Sequence, residues 1–182
     1  MFFAHSMQPA NLFMLLSMFS ALPVAAQQVC DAQTRPLSSP TGRFEDHGDG
    51  TVTDKESRLT WMRCSAGQKL FANTCVGAAS QFDWQSAQGL AVAVNRSGSK
   101  FFNDWRLPLV RELALITERQ CQNPRVNQTV FPDTPPAFYW SSTLRPGAAV
   151  DGSAYAIGFG SVGIELQSMD QRHHVRLVRH AQ

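Results

Sequence analysis

The chain has 182 residues, of which 43% are hydrophobic and 16% charged, and its formal net charge is +2 at pH 7. This length suits one ordinary domain with its own core, and so mild a charge argues against nucleic acid as a partner. The positive charge is mostly arginine, because only Lys55, Lys69 and Lys100 are lysines.

Residues 1–26 have the composition of a secretory signal peptide. They contain no Lys, Arg, Asp or Glu, carry an apolar run from Leu12 to Leu22, and end in small residues. The alternative is an uncleaved anchor, but the run falls short of the ~20 residues that a helix needs to cross a bilayer. Cleavage after Ala26 would give a secreted, periplasmic or cell-surface protein with no transmembrane span.

The first strands follow a polar leader. Residues 27–42 are predicted to be an extended leader, since their second half is rich in Pro, Ser and Thr, and residues 43–180 to be one domain. Asp49-Gly50 lies between two β-capable flanks, which predicts a tight hairpin. Residues 59–64, "LTWMRC", predict a third strand.

Two helices are predicted next. Asp83 is a suitable N-cap and Gly98 a suitable stop for the first, whose apolar face comprises Trp84, Ala87, Ala91 and Val94. The second is predicted to begin at Pro108, which suits the first helical position, and to end near Arg119. It is expected to bury Leu109, Leu113 and Ile116.

A long loop and several strands complete the chain. Residues 122–138 hold four prolines and no apolar period, so they either serve a function or wrap the core. Gly160-Ser161 predicts a two-residue hairpin turn. The resulting register places every large apolar side chain on one buried face, with these pairs: Phe159 with Val162, Ile157 with Ile164, and Tyr155 with Leu166.

The order of elements predicts an α+β fold, with two helices on a mainly antiparallel sheet and the terminal strands joined in one sheet. The segment "HVRLVR" is expected to add a strand with Val175 and Leu177 directed inward.

Four cysteines in a chain that leaves the cytoplasm predict two disulfides. Three connectivities are available. We favour Cys64–Cys75, because it closes a short loop containing Gly and Asn, and Cys30–Cys121 then follows by elimination. Zinc is the alternative, but no Cys-x-x-Cys pair is present.

A set of short motifs resembles a known family when read in order: "GDGTVTD", "LTW", the loop from Cys64 to Cys75, "DWRLPLVREL", "VFP", "YWSST" and "VRLVR". Over roughly residues 40–179, the chain resembles the C-terminal domain family of the bacterial collagen-like adhesin Lcl. Where the family usually has glycine, this chain has Arg58, so either Arg58 adopts a positive φ or the turn has changed shape.

The resemblance implies a variant of the C-type-lectin-like fold, similar in shape to the formylglycine-generating sulfatase-modifying enzymes. It also implies an extracellular binding domain and, for the adhesin itself, attachment to sulfated glycosaminoglycans. It assigns no ligand site to numbered residues here.

The segment "DWRLP", formed by Asp104, Trp105, Arg106, Leu107 and Pro108, is the strongest local motif. A catalytic interpretation would make Asp104 a base. We favour a structural joint in which Trp105 and Leu107 are buried and Arg106 binds carbonyls or a carboxylate.

No catalytic constellation converges, so the sequence predicts a non-catalytic protein without a cofactor. Asp46, Asp49 and Asp54 suggest calcium only weakly, because they lack the alternating ligand pattern of an EF-hand. His173 and His174 alternate across a strand, so at most one is expected to face the core, and no metal site is predicted.

The predicted ligand is an extracellular anionic polysaccharide or glycosaminoglycan. Arginines would contact its sulfate or carboxylate groups and an exposed aromatic would support a sugar face, which selects Arg125, Trp140, Arg145, Arg172, His173 and Arg176. The alternative is a structural component of a bacterial envelope or appendage that acts through contacts with another protein.

Overall fold

A computed structural model describes residues 1, 27–33, 36–98, 102–147, 151–160 and 163–181. The predicted signal peptide, apart from Met1, lies outside the described residues. The helices are α1 (Trp84–Ser97) and α2 (Val110–Leu115), with a short 3-10 helix at Thr41–Arg43. The strands are β1 (Val29–Cys30), β2 (Phe44–Asp46), β3 (Thr51–Asp54), β4 (Leu59–Met62), β5 (Lys69–Phe71), β6 (Thr74–Val76), β7 (Gln81–Phe82), β8 (Cys121–Gln122), β9 (Phe138–Leu144), β10 (Ser153–Gly158), β11 (Ile164–Ser168), β12 (His173–His174) and β13 (Val178–His180).

The described chain has two larger sheets and two two-stranded sheets, β1-β8 and β5-β6. The four-stranded sheet has the order β13-β4-β3-β2, so the last strand pairs with the N-terminal strands, as predicted. The five-stranded sheet has the order β11-β10-β9-β12-β7 and is antiparallel except where β12 meets β9. Helices and sheets pack on two hydrophobic clusters, one around Trp61, Phe131 and Tyr139 and the other around Trp105 and Trp140. The described chain is thus mainly β-sheet with two helices, in keeping with the predicted α+β class.

The first hairpin and the third strand form as predicted. β2 and β3 pair antiparallel with Asp46 opposite Val52, and β3 continues into β4. Arg58 closes the turn between β3 and β4 with φ 54° and donates its N–H to the Asp54 carbonyl at 2.8 Å. Arg58 therefore adopts the positive φ itself, and the turn keeps its hydrogen bond.

Helix α1 has both predicted ends. The Asp83 side chain accepts the N–H of Ser86 at 2.8 Å, and Gly98 ends the helix in the left-handed region with φ 61°. This arrangement satisfies backbone groups that would otherwise lack partners at the helix ends.

Helix α2 is shorter than predicted, because it begins after Pro108 and ends before Arg119. Its N-terminus is set by the Glu112 carboxylate, which accepts the Leu109 N–H at 2.7 Å. Its C-terminus is set by the long loop, since Thr117 forms a β-bridge with Val126 and Glu118 N–H donates to the Arg125 carbonyl. Pairing with the loop replaces the last helical turns.

The predicted register of the β10–β11 hairpin is confirmed, but the prediction that all its large apolar side chains lie on one buried face is wrong. Ile157 pairs with Ile164 and Tyr155 with Leu166, yet Ile164 is 50% exposed and Leu166 40% exposed. The reason is that both faces of β10 are covered, including the Ala154 and Ala156 face, whereas β11 lies at the edge of the described sheet. The turn residues 161–162 lie outside the described residues.

The long loop wraps the core, as one of its two interpretations predicted. Val126, Val130 and Phe131 are buried in the first hydrophobic cluster. The loop also supplies hydrogen-bond partners, because the Arg63 guanidinium donates from Nε to the Val130 carbonyl at 3.0 Å. The loop is thus an ordered segment that covers the core.

Both predicted disulfides are confirmed. Cys64–Cys75 closes a short hairpin, and Cys30–Cys121 joins β1 to β8 across a sequence separation of 91. Disulfides persist in oxidising environments, so they indicate that the chain belongs to such a compartment. Within the described ranges, no helix is long and apolar enough to cross a membrane.

The buried Glu118 carboxylate also holds the leader. It accepts the N–H groups of Ser38 at 3.1 Å and of Ser39 at 2.9 Å. Burial alone would raise the pKa of Glu118, but backbone hydrogen bonds outweigh it and hold this pKa below its usual range.

The two disulfides should differ in their contribution to stability. Replacing Cys30 and Cys121 by Ser should lower the free energy of unfolding by between about 4 and 5 kcal/mol, and replacing Cys64 and Cys75 by about 3 kcal/mol, because the longer loop gains more entropy when opened. Urea denaturation of both double variants measures this order. A larger loss from the Cys64 and Cys75 pair would contradict it.

Candidate functional site

A surface cleft of about 480 Å³ lies between α1, the turn from β2 to β3, and the segment that follows β4. Asp49, Gln68 and Lys69 contribute polar groups to its lining. Its apolar residues are Met62, Leu70, Leu90, Val94 and Leu177. A cleft of this composition suits a ligand that has apolar faces and polar edges.

A disulfide-closed hairpin forms one wall of the cleft. Strands β5 and β6 pair with Leu70 opposite Cys75, and the tip residues Ala72 and Asn73 have φ 45° and 66°. Lys69 and Phe71 lie two residues apart on one face of β5, and Phe71 is 69% exposed. The hairpin therefore presents an aromatic ring and a cation side by side to solvent.

The long loop fixes this hairpin in place. The Cys75 N–H donates to Asp133 Oδ2 at 2.8 Å, and Gln68 Nε2 donates to the Asp133 carbonyl at 3.2 Å. At the base of the hairpin, Gly67 has φ 91°, and a Cβ there would lie 2.3 Å from Ser80 Oγ. The cleft wall is thus held by a covalent bond, hydrogen bonds and close packing.

Two of the predicted ligand residues are core residues, so their expected exposure is wrong. Trp140 is fully buried and donates from Nε1 to the Phe82 carbonyl at 2.7 Å. Arg176 is also fully buried, under the rings of Phe131 and Tyr139. The sequence pattern did not predict the burial of these two residues, because β9 and the segment after β12 are covered on both of their faces.

The other three predicted ligand arginines lie at separate places. Arg145 pairs with Asp151 beside the β9–β10 connection. Arg172 is exposed and donates to the Gln81 carbonyl at 2.7 Å, whereas Arg125 is partly buried. The contacts of these arginines do not bring them together into one anion site.

The two adjacent histidines both contact buried rings, which corrects the expectation that at most one faces the core. His173 packs on Trp140 with ring centroids 4.5 Å apart, and His174 on Tyr139 at 5.4 Å. The sheet is covered on both faces at this point. Burial lowers the pKa of both imidazoles, which favours their neutral forms.

The "DWRLP" segment is the predicted joint. Trp105 and Leu107 are buried, and Arg106 binds Glu112 with two hydrogen bonds of 2.7 Å. Arg106 also forms a β-bridge with Val178. Pro108 is buried just before α2, and Asp104 lies 4.0 Å from the Arg179 guanidinium. These contacts tie α2 to the C-terminal strand.

The three aspartates considered for calcium bind groups of the chain. Asp54 is buried and pairs with Arg43, Asp46 pairs with Arg63 at 2.8 Å, and Asp49 accepts the Thr51 N–H at 2.8 Å. Burial alone would raise the pKa of Asp54, but the hydrogen bonds from Arg43 and Ser57 outweigh it and lower this pKa.

Sequence reasoning missed Lys69, Phe71 and the cleft behind them. The segment "KLFANTC" could have predicted this hairpin, because polar and apolar residues alternate before Asn73, a suitable turn residue, and a disulfide cysteine follows the turn. What the sequence could not show was that Leu90 and Val94 of α1 line the opposite side.

The fold and the cleft define a disulfide-bonded α+β domain of an oxidising compartment with a preformed surface recess. Comparison with protein families matches residues 50–179 to the Lcl C-terminal domain. The chain belongs to this family, which indicates an extracellular module. Comparison with curated proteins finds no match.

Arg176 should contribute to stability and not to an exposed anion site. Arg176→Met removes donors from the buried carbonyls of Met62 and Arg63, so it should lower the free energy of unfolding by about 3–5 kcal/mol. The control Arg172→Met changes an exposed arginine and should shift it by less than about 0.5 kcal/mol. Equal effects in urea denaturation would contradict this assignment.

The Arg106–Glu112 pair should make stability depend on acid. Burial alone would raise the pKa of Glu112, but hydrogen bonds from Arg106 and the Leu109 N–H outweigh it and hold this pKa below its usual range. The contribution of ionised Glu112 to the free energy of unfolding is therefore complete above the ordinary carboxyl pKa, near 4 to 5. It is lost as the pH falls through the lower pKa that Glu112 has in the folded chain.

Glu112→Gln should accordingly lower the free energy of unfolding by about 1–3 kcal/mol at pH 7, with a smaller difference from the parent chain in acid. Denaturation curves at pH 7 and pH 3 measure the difference. A constant difference at both pH values would contradict this linkage.

Proposed function

We propose that the chain is a secreted, non-catalytic binding module that holds an anionic polysaccharide against the cleft and the β5–β6 hairpin. The observation that carries the proposal is the disulfide-closed hairpin with Phe71 exposed beside Lys69. An aromatic face stacks on the apolar face of a sugar ring, and an ammonium group attracts sulfate or carboxylate.

The rigidity of the wall supports binding. A ligand that meets a hairpin already fixed by Cys64–Cys75 and Asp133 does not have to order it, which lowers the entropic cost of association. The apolar lining from Leu90, Val94 and Leu177 adds contact area behind the polar rim.

The polar groups at the cleft suit positioning more than reaction. Ser65 Oγ lies 2.7 Å from the Tyr139 hydroxyl, and Gln68 Oε1 accepts the Ser65 N–H at 3.2 Å. Asp49 Oδ1 accepts both the N–H and the hydroxyl of Thr51. These hydrogen bonds stabilise the walls of the cleft, which supports a preformed binding surface.

The fold itself supports a variant of the C-type-lectin-like class. β13 lies beside β4, so the C-terminal strand returns to the N-terminal strands. Two helices, two disulfides and a long ordered loop accompany this closure. Such a variant would use loops and hairpins on one side of the sheet for recognition.

The direct test is binding of the full chain to immobilised heparin, with dextran as the uncharged comparison. Phe71→Ala and Lys69→Glu should each weaken heparin binding about 3- to 10-fold, because one removes the stacking face and the other reverses the charge. Raising the salt concentration should weaken binding of the parent chain by screening.

Lys55→Glu is the matched control, since it makes the same charge change on an exposed residue of the β3–β4 turn. It should leave heparin binding close to that of the parent chain. Equal losses of heparin affinity from Lys55→Glu and Lys69→Glu would show that binding depends on net charge alone and not on the cleft. If the folded chain is not retained on heparin at low salt, the polysaccharide proposal is rejected.

A further inference from the structure

Strand β11 exposes an apolar edge that none of the residues described by the structure covers. It is the last strand of the five-stranded sheet in the described ranges, and Ile164 and Leu166 are 50% and 40% exposed. Both lie on the same face as Tyr155 and Ile157, their cross-strand partners. The core face of the sheet thus continues onto an unpaired edge.

The hydrogen bonds of the hairpin show which backbone groups point outward. Gly158 N–H donates to the Gly163 carbonyl at 2.9 Å, and Met169 N–H donates to the Gly152 carbonyl at 2.8 Å. Hydrogen-bonded and non-hydrogen-bonded pairs alternate in an antiparallel ladder, so the N–H and C=O groups of Ile164 and Leu166 point away from β10.

Ser168 continues this pattern with one difference. Its N–H also points away from β10, but its carbonyl accepts the Gln171 N–H at 3.0 Å in the following turn. The edge therefore presents two complete donor–acceptor residues and one further donor.

We propose that β11 pairs antiparallel with β11 of a second copy of this chain, with the two-fold axis at Leu166. Leu166 of each copy would then donate to and accept from Leu166 of the other. Each Ser168 N–H would also donate to the Ile164 carbonyl across the axis, giving four hydrogen bonds between the copies. The two five-stranded sheets would join into one continuous sheet.

The side chains of β11 are complementary to themselves in this register. Ile164 lies opposite Ser168, and Glu165 opposite Gln167, so no like charges face each other directly. Gln167 Nε2 already donates to Glu165 Oε2 at 3.0 Å within one chain, and the same donor and acceptor meet again across the axis. The apolar row continues from Tyr155 through both Leu166 side chains to the other Tyr155.

The other two-fold registers fit less well. An axis at Glu165 would place two carboxylates opposite each other, which destabilises a strand pair. An axis at Gln167 would leave Ile164 outside the pair. The register centred on Leu166 keeps all five residues of β11 paired, which selects a second copy as the partner.

The first test is sedimentation of the full chain over a range of concentrations. The parent chain should show a monomer–dimer equilibrium, and Leu166→Lys should weaken it by at least about tenfold, because it removes apolar contact and opposes two cations at the axis. The matched control Leu144→Lys adds the same charge to β9, where Leu144 is 45% exposed, and should leave the equilibrium unchanged.

The second test fixes the register and does not depend on Leu166→Lys folding. A hydrogen-bonded antiparallel pair has a Cα separation of about 5.5 Å, within disulfide range, so Leu166→Cys should form a disulfide-linked dimer on mild oxidation. The two Cα atoms of Ile164→Cys would lie roughly 13 Å apart along the pair, so this variant should not link.

The outcomes separate this proposal from polysaccharide binding, because the test contains no polysaccharide. A parent chain that remains monomeric at its highest attainable concentration would overturn the dimer, as would a dimer insensitive to Leu166→Lys. Equal crosslinking by Ile164→Cys would overturn the register. Heparin binding by Phe71 and Lys69 stands or falls independently of these results.

Discussion

The packing of the long loop against the four-stranded sheet depends on the hydrogen bonds of the buried Arg176 guanidinium. This guanidinium donates to the carbonyls of Met62 and Arg63 at the end of β4, and to Thr134 Oγ1 of the long loop at 2.7 Å. It lies 4.8 Å from the centroid of the Phe131 ring. Burial lowers the pKa of Arg176, yet guanidinium remains charged in proteins because its starting value is so high. One cation thus joins one sheet to the loop that covers the core.

Other arginines are used in the same way. Arg63 is buried and donates to carbonyls of the long loop while pairing with Asp46, and Arg43 binds the buried Asp54. Arg106 donates two parallel hydrogen bonds to the two carboxylate oxygens of Glu112. The arginine-rich charge therefore reflects, in large part, how loops with few regular hydrogen bonds are held.

Local features could be predicted from the sequence, whereas coverage of the sheet could not. The caps of α1, the β10–β11 register and both disulfides follow from near neighbours in the chain or from cysteine chemistry. The burial of Trp140 and Arg176 depends on layers contributed by distant segments. For the same reason the cleft escaped prediction, since its walls come from α1, the β2–β3 turn and the β5 hairpin.

The hairpin also separates the residues that maintain the fold from those that face outward. Its base is constrained, because Gly67 has no room for a side chain and Cys75 is both disulfide-bonded and hydrogen-bonded to Asp133. Its tip, from Phe71 to Thr74, is exposed, and the hydrogen bond from the Thr74 hydroxyl to the Phe71 carbonyl lies within the tip itself. Substitutions at the tip would change the exposed surface at little cost to folding, so the surface that this domain presents can diverge while its architecture stays the same.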